Sequence, residues 1–420
     1  MKFLLVFSIL GTFSSSSANE DDVSGGGSNA SSCVAPPPFD DASLESIPAI
    51  RMVMSITTGD YFVHLVEGAR MQAQVVGGTG IDFALTSSGG DDGAGQARLV
   101  SDAASLGGVV GILTVGGHAD EMCGAIDGAL SNNVTVVSFD FGGGACSPSH
   151  VLAAQDNRDM ARLVLGKALV EEGGDVDVGY VSDLNYEPLI PRDEVWEEYK
   201  TNNGWNQVFF VNDAANYTNA EDLKSAIETA IAGSPRPPRF IYAPWDYLSI
   251  NAVTAIAAAA DGSSSGAAET RVYGADVNDE DIAVITSPGS VWMATAGGGP
   301  LEIGASLVRM VALSMAGELS GAIAVSEGGG EGTTIEIPIA LITRDFLVTN
   351  DVTNMDTLGD VMPELLFPDF VRACWIGSVE DVPPPESTTT DDLTSASSVV
   401  DFMMTTMSLA FPLALSIRLL

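Results

Sequence analysis

Between residues 48 and about 346, short apolar runs alternate with stretches of helical spacing, and four of the runs stop abruptly near a carboxylate or an aromatic ring. Residues 51–56 (RMVMSI) lead into Tyr61 and Phe62. Residues 134–139 (VTVVSF) end at Asp140, residues 240–243 (FIYA) at Pro244, Trp245 and Asp246, and residues 272–275 (VYGA) at Asp276. Short apolar runs are the mark of strands buried on both faces of a parallel sheet. An open α/β sheet binds its ligands beyond the carboxyl ends of its strands. Carboxylates and aromatics gathered at several such ends predict one pocket built from segments distant in sequence.

The alternation is regular. Strands are expected at 51–56, 81–86, 111–115 and 134–139, with helices at 61–76, 93–106 and 119–131 between them. Phe62, Leu65, Val66 and Ala69 show the helical period in the first of these helices. The pattern resumes with helix 157–172, strand 176–182, helix 191–202, strand 207–212, helix 219–232, strand 239–243, helix 247–260 and strand 271–275. Segments 281–285 and 292–296, helix 301–317 and a strand near 335–342 complete it. Such alternation predicts parallel sheets covered by helices on both faces. The span is large for one sheet, so two Rossmann-like lobes are expected.

The charge excludes one class of partner. Against 17 basic residues stand 56 acidic ones, a formal charge of −39, and such a surface repels nucleic-acid phosphates. The two ends read as address labels. Lys2, the apolar stretch 3–13, and Ser16 and Ala18 at a small-residue cleavage site predict a signal peptide over 1–18. Residues 19–47 read as a disordered Gly/Ser/Pro-rich tail. At the other end, a Pro/Thr-rich stretch (383–390) precedes small residues at Ser395, Ala396, Ser397 and Ser398 and an apolar tail, 403–420. That order matches a glycosylphosphatidylinositol (GPI) anchor signal. Asp401, Pro412 and Arg418 argue against a stable membrane-spanning helix, because charge inside a bilayer is costly; a short membrane anchor and a frayed tail are the alternatives.

Four cysteines in a secreted chain suggest two disulfides, with three pairings possible. Cys123 and Cys146 fall close together in what reads as one βαβ unit, and Cys33 and Cys374 flank the globular region, which favours Cys123–Cys146 and Cys33–Cys374. Asn29, Asn133 and Asn216 head N-glycosylation triplets consistent with a eukaryotic-looking secretory route.

Several chemistries have no residues to carry them. The three histidines, His64, His118 and His150, fall in no zinc-ligand spacing. No GxSxG follows an expected strand as a nucleophile elbow would, and Gly166-Lys167 lacks the rest of a phosphate loop. The glycine runs at 142–144 and 297–299 form no dinucleotide fingerprint. No metal and no cofactor are implied.

Several segments, in one order, resemble the type I periplasmic binding proteins of sugar transport systems. They are Tyr61-Phe62 with Glu67-Gly68-Ala69, then Gln96, Asp102-Ala103, 109–113 (VVGIL) and 134–140 (VTVVSFD). Gln155-Asp156-Asn157, 240–246 (FIYAPWD), 273–276 (YGAD), 300–304 (PLEIG) and Gly317-Glu318 follow. The resemblance covers residues 48–346. It implies two lobes joined by a three-crossover hinge: 48–155 plus 299–335 as lobe I and 156–298 plus 336–346 as lobe II. Residues 347–382 are then a C-terminal extension and 383–420 a linker and tail.

The resemblance also implies a ligand set. Tyr61 and Phe62 would pack on a sugar ring, Asp140 would accept its hydroxyls, and Arg192, Trp245 and Asp276 would face them from lobe II, with Phe141 beside Asp140. Three family positions differ: Gly59 precedes the aromatics, Phe141 replaces an arginine and Gly298 stands near a lost glutamine. Asp246 and Asp156 each precede a helix. Asp246 reads as a helix cap, while Asp156 fits a cap or the ligand side equally well. Trp196 and Trp292 read as core. Two carboxylates against one arginine disfavour an anionic ligand and favour a neutral polyol or a cation.

The expected function is capture of a small sugar-like solute by hinge closure, for uptake or sensing. The protein would be non-enzymatic, secreted and surface-tethered, with a membrane transporter or receptor as partner. The alternative is an extracellular receptor or interaction module binding a non-sugar or protein ligand. A glycoside hydrolase using Asp140 and Asp276 is a third, weaker reading.

Overall fold

The computed structural model describes residues 48–55, 59–76, 81–88, 93–184, 186–212, 220–261, 266–319, 333–362, 365 and 375–376. The expected signal peptide and tails, Cys33, Cys374, Asn29 and Asn216 lie outside them.

Among the described residues, twelve strands sort into two six-stranded sheets. The first holds β1 (Ala49–Met54), β2 (Asp82–Ser87), β3 (Val109–Val115), β4 (Thr135–Phe139), β5 (Val151–Ala154) and β11 (Thr333–Glu336), in the order β11-β5-β4-β3-β1-β2. All its pairings are parallel. The second holds β6 (Asp177–Ser182), β7 (Asn206–Asn212), β8 (Phe240–Ala243), β9 (Arg271–Gly274), β10 (Trp292–Gly297) and β12 (Ala340–Thr343), in the order β12-β10-β9-β8-β6-β7. This sheet is parallel except for β12, which runs antiparallel to β10.

Helices cover both faces of each sheet. Helix α1 (Asp60–Val75) and α9 (Pro300–Met315) pack on one face of the first sheet around Leu65, Met54, Phe139 and Leu307. Helices α2 (Gly93–Ser105) and α3 (Ala119–Ser131) cover the other face through Val100, Met122, Ile126 and Ile112. In the second lobe α4 (Asn157–Glu172) and α5 (Ile190–Asn202) enclose a stack of Tyr180, Trp196 and Tyr242. Helices α6 (Ala220–Gly233), α7 (Asp246–Asp261) and α8 (Asp279–Thr286) cover its opposite face, where Trp292 is buried. Trp196 and Trp292 are thus core residues, as their sequence context suggests.

The pairing of α1 with α9 depends on two glycines. A Cβ on Gly68 would stand 1.9 Å from the Leu301 carbonyl oxygen, and one on Gly304 would stand 1.8 Å from that of Leu65. The two helices touch backbone to backbone there, as only glycine allows.

The chain passes between the sheets three times: from β5 to α4, from β10 to α9, and from β11 to β12. The single strand expected near 335–342 is therefore two strands in different sheets. Pro338, which lacks an N–H for a ladder, falls in the break. β12 leaves this junction while β10 runs towards it, hence the antiparallel pairing. Segment 281–285 lies in a helix, opened by a reciprocal cap between Asn278 and Asp281.

Helices α10 (Arg344–Thr349) and α11 (Met355–Val361) follow, and Leu347, Val352 and Leu358 bury against the second lobe. Ile376, further on, packs into the first lobe's core, and its carbonyl oxygen accepts from Gln72 Nε2 at 3.5 Å. Residues of the C-terminal extension thus touch both lobes.

Candidate binding cleft

Asp140 directly follows β4 and Asp276 follows β9 by two residues. Both hold left-handed backbone, with φ of 49° and 68°. Aspartate is one of the few side chains that tolerate this region, because its short carboxylate can engage nearby groups. At each site the chain turns sharply off the strand and leaves the carboxylate at the sheet's carboxyl end. Phe62, Tyr61 and Asp140 from the first lobe meet Arg192, Trp245 and Asp276 from the second around one cleft. Six of the seven sequence-predicted ligand residues are brought together. The free space among them is small, ≈ 10 Å³, about the room one water needs.

Arg192 and Asp276 form a buried bidentate pair. Arg192 Nη1 donates to Asp276 Oδ2 at 2.9 Å and Nη2 donates to Oδ1 at 3.2 Å. The guanidinium is otherwise occupied: Nε donates to Asn157 Oδ1 at 2.8 Å and Nη1 to the Pro244 carbonyl oxygen. Burial alone would depress the Arg192 pKa, but the contact with Asp276 outweighs it and keeps the group charged. The Asp276 carbonyl oxygen accepts from Thr295 Oγ1, which fixes the turn.

Asp140 has no such bidentate partner among the described residues. Its Oδ1 is buried without a hydrogen-bond partner among them. Burial pushes its carboxyl up from 3.8 to about 7, with Arg192 pulling down and Asp276 pushing up. An unsatisfied buried carboxylate oxygen is costly, and a ligand that donates to it removes that cost.

The rest of the lining is aromatic and apolar. Tyr61 and Phe62 meet edge to face, with centroids 5.6 Å apart. Trp245 stacks on Tyr186, centroids 5.6 Å apart at 26°, and packs against the cores of both lobes. Tyr186, Pro188 and Leu189 line the cleft too, and the sequence reading missed them. They follow strand β6 as the predicted residues follow theirs, so the same strand-end signal was available.

A three-residue segment at the first passage ties the parts together. Gln155 Nε2 donates to the Tyr61 hydroxyl at 3.3 Å, Asp156 caps α4 by accepting from Asp159 N–H at 2.9 Å, and Asn157 holds Arg192. Asp156 is therefore a cap. Burial, with Asp276 and Asp140 adding, pushes the Tyr61 phenol well above its ordinary value, so it stays protonated.

Phe141 stands apart from the cleft set. Its ring meets His150 edge to face at 5.4 Å and packs against the first lobe's core. His150 is buried. Its Nδ1 accepts from Cys146 N–H at 3.1 Å, which places the ring proton on Nε2, 2.7 Å from Ser138 Oγ. Ser138 Oγ also accepts from Thr114 Oγ1 at 2.6 Å. Cys123 and Cys146 are disulfide-bonded, so the loop leaving Asp140 is anchored to α3. Asp246 opens α7, and its carboxylate accepts from Tyr247 N–H at 2.6 Å and from Asn278 Nδ2 at 2.9 Å. Asn133 is exposed in the turn before β4.

No group of side chains able to hold a metal ion occurs among the described residues, and no described helix is long and apolar enough to cross a membrane. No curated protein matches the chain significantly. Solved structures do. The 5-methylthioribose transporter solute-binding protein of Thermotoga lettingae, in complex with 5-methylthioribose, is 26% identical, with a TM-score of 0.65 over 77% of this chain and 97% of that one. A sugar ABC transporter protein from Yersinia enterocolitica reaches a TM-score of 0.70 at 20% identity, over 82% and 98% of the two chains. The Caulobacter myo-inositol binding protein, bound to myo-inositol, gives 0.58 at 17% identity, over 73% and 96%. The family model described as a periplasmic binding protein domain matches residues 50–319. Two mainly parallel sheets, three passages and a cleft at the strand ends agree with that match, and the chain belongs to the type I periplasmic binding protein family.

Proposed function

We propose that the protein captures a small sugar-like solute between its lobes and releases it by hinge opening. As a member of its family it is a solute-binding protein and not an enzyme, which removes the Asp140–Asp276 hydrolase reading. The observation that carries the proposal is the buried Asp140 Oδ1, without a hydrogen-bond partner among the described residues, in an interlobe cleft lined by aromatic residues. Ring faces suit the C–H face of a sugar, and a carboxylate accepts a hydroxyl in a charge-assisted bond. The 5-methylthioribose and myo-inositol bound by the relatives are of this size and kind. The free volume of ≈ 10 Å³ is too small for a sugar ring, so entry requires the lobes or the lining side chains to move.

The setting we propose is outside the cytosol, with the N-terminal segment directing export and the C-terminal tail holding the protein at the membrane. A separate membrane protein would then take up the solute or relay its presence. An exposed Asn133 is consistent with glycosylation on that route.

Isothermal titration with ribose, 5-methylthioribose and myo-inositol tests the central claim. Saturable binding by at least one, weakened about tenfold in Asp140→Asn, is expected. Absence of binding by all three, in a protein shown to be folded, would overturn it.

A further inference from the structure

We infer that the preferred ligand carries a protonated amine, placed beside Asp140, so that the cleft selects an amino sugar or amino polyol over its neutral counterpart. The inference rests on the proposed sugar-binding role of the same cleft.

The argument begins with charge balance. Among the described residues lining the cleft, two carboxylates, Asp140 and Asp276, face one cation, Arg192. Arg192 and Asp276 are closed upon each other in a bidentate pair, and the Arg192 Nε and Nη1 also have Asn157 and Pro244 as partners. The pair is neutral and self-satisfied. Asp140 is left as an uncompensated carboxylate with a buried, unpartnered oxygen. Asp246 and Asp281, both buried near Asp276, have their carboxyls pushed up towards the neutral form by burial, and neither supplies a positive charge to offset Asp140.

A neutral hydroxyl would satisfy the Asp140 oxygen but leave the net charge in place. An ammonium would do both, since an ion pair in a desolvated cleft is far less screened than at a surface. The aromatic lining points the same way. Trp245, Tyr186, Tyr61 and Phe62 line the same space. Ring faces attract cations, most of all where water is excluded. A carboxylate enclosed by rings is the arrangement that recognises an organic ammonium. Burial also holds the Asp140 carboxyl near neutrality in pH, and a neighbouring cation would return it to the ionised form.

Titration calorimetry at pH 7 with four matched pairs tests this: glucosamine and glucose, galactosamine and galactose, mannosamine and mannose, N-methylglucamine and sorbitol. N-acetylglucosamine serves as the charge-free control. At least one amine is expected to bind tenfold or more tighter than its neutral partner and than N-acetylglucosamine. In Asp140→Asn, shown folded by circular dichroism, that preference should fall to within about twofold, and the comparison of amine, neutral sugar and acetyl control on the parent protein stands without the variant. Binding of any neutral sugar, including 5-methylthioribose or myo-inositol, with no amine preferred would overturn the inference and leave the sugar-binding role standing. No binding by any of these compounds would overturn both.

Discussion

Asp140 and Asp276 are counterparts: each lies just beyond a strand end in its own lobe, in left-handed backbone, and they line one cleft in opposite electrostatic states. Asp276 is locked to Arg192, while Asp140 keeps an oxygen without a protein partner. The first builds the cleft wall; the second is available to a ligand. This division orders the predictions below.

Removing one member of the Arg192–Asp276 pair should unfold the second lobe readily. Arg192→Met leaves a buried carboxylate without its cation, at a cost of about 3–5 kcal/mol. Arg192→Lys should recover only part of this, because an ammonium cannot make the bidentate contact. Urea unfolding of Arg192→Met, Asp276→Asn and the double variant should show strong non-additivity. Additive losses would mean that the pair does not act as a unit.

Asp140 should behave in the opposite way. Asp140→Asn keeps a side chain suited to left-handed backbone and removes a poorly solvated charge, so at pH 8 the variant should be at least as stable as the parent. The sign follows from linkage. Burial raises the folded-state value from 3.8 to about 7, so the folded form holds the proton more tightly than the unfolded chain. That contribution is complete below about pH 4 and is lost as pH rises through 7. Relative to Asp140→Asn, the parent should therefore lose stability on the order of 3 kcal/mol between pH 4 and 8. Paired denaturant melts at the two pH values would measure it, and an unchanged difference would show that Asp140 is ordinarily solvated.

His150 gives a pH effect of reversed sign. Burial lowers its value from 6.5 to about 4, so the folded form prefers the neutral ring. Its contribution is present above pH 6.5 and is lost as pH falls through that window towards 4, on the order of 3 kcal/mol. His150→Gln should flatten this limb of the pH–stability profile. NMR titration of the ring should show no protonation of the folded protein at pH 6.

The disulfide and the glycine contact test the first lobe's frame. Closing the 23-residue separation between Cys123 and Cys146 should contribute roughly 3 kcal/mol through the unfolded state. Since the closed loop contains Asp140, the double serine variant should lose ligand affinity as well as melting temperature.

Gly304→Ala should be worse than an ordinary surface substitution. The new Cβ would meet the Leu65 carbonyl oxygen, a backbone atom that cannot turn aside, so α1 and α9 must separate. A loss of at least about 2–3 kcal/mol in thermal unfolding is expected. A near-neutral result would mean that the two helices part at little cost.

Much of this was legible in the chain. Strand ends at 139 and 243, and one within a residue of 274, were visible because a buried parallel strand leaves a local record, a short apolar run bounded by a polar residue. The α helices followed from their 3.6-residue period. β5 escaped notice: VLAA is four residues long and has no distinctive flank. The single apolar stretch IEIPIALI concealed two strands, because sequence alone does not say which sheet a strand joins. Tyr186 and Leu189 were missed because a strand end marks a cleft residue only once the cleft is known.

By itself, then, the sequence determined the alternation of elements, the fold class and most of the side chains at the strand ends, because each depends on spacing within a few residues. Only the tertiary structure decided how those side chains divide their work. It paired Arg192 with Asp276, set Phe141 against His150 and left one Asp140 oxygen without a partner among the described residues. Such pairings join residues tens of positions apart, Arg192 and Asp276 being 84 apart. They are fixed by the packing of two lobes, which no local pattern encodes.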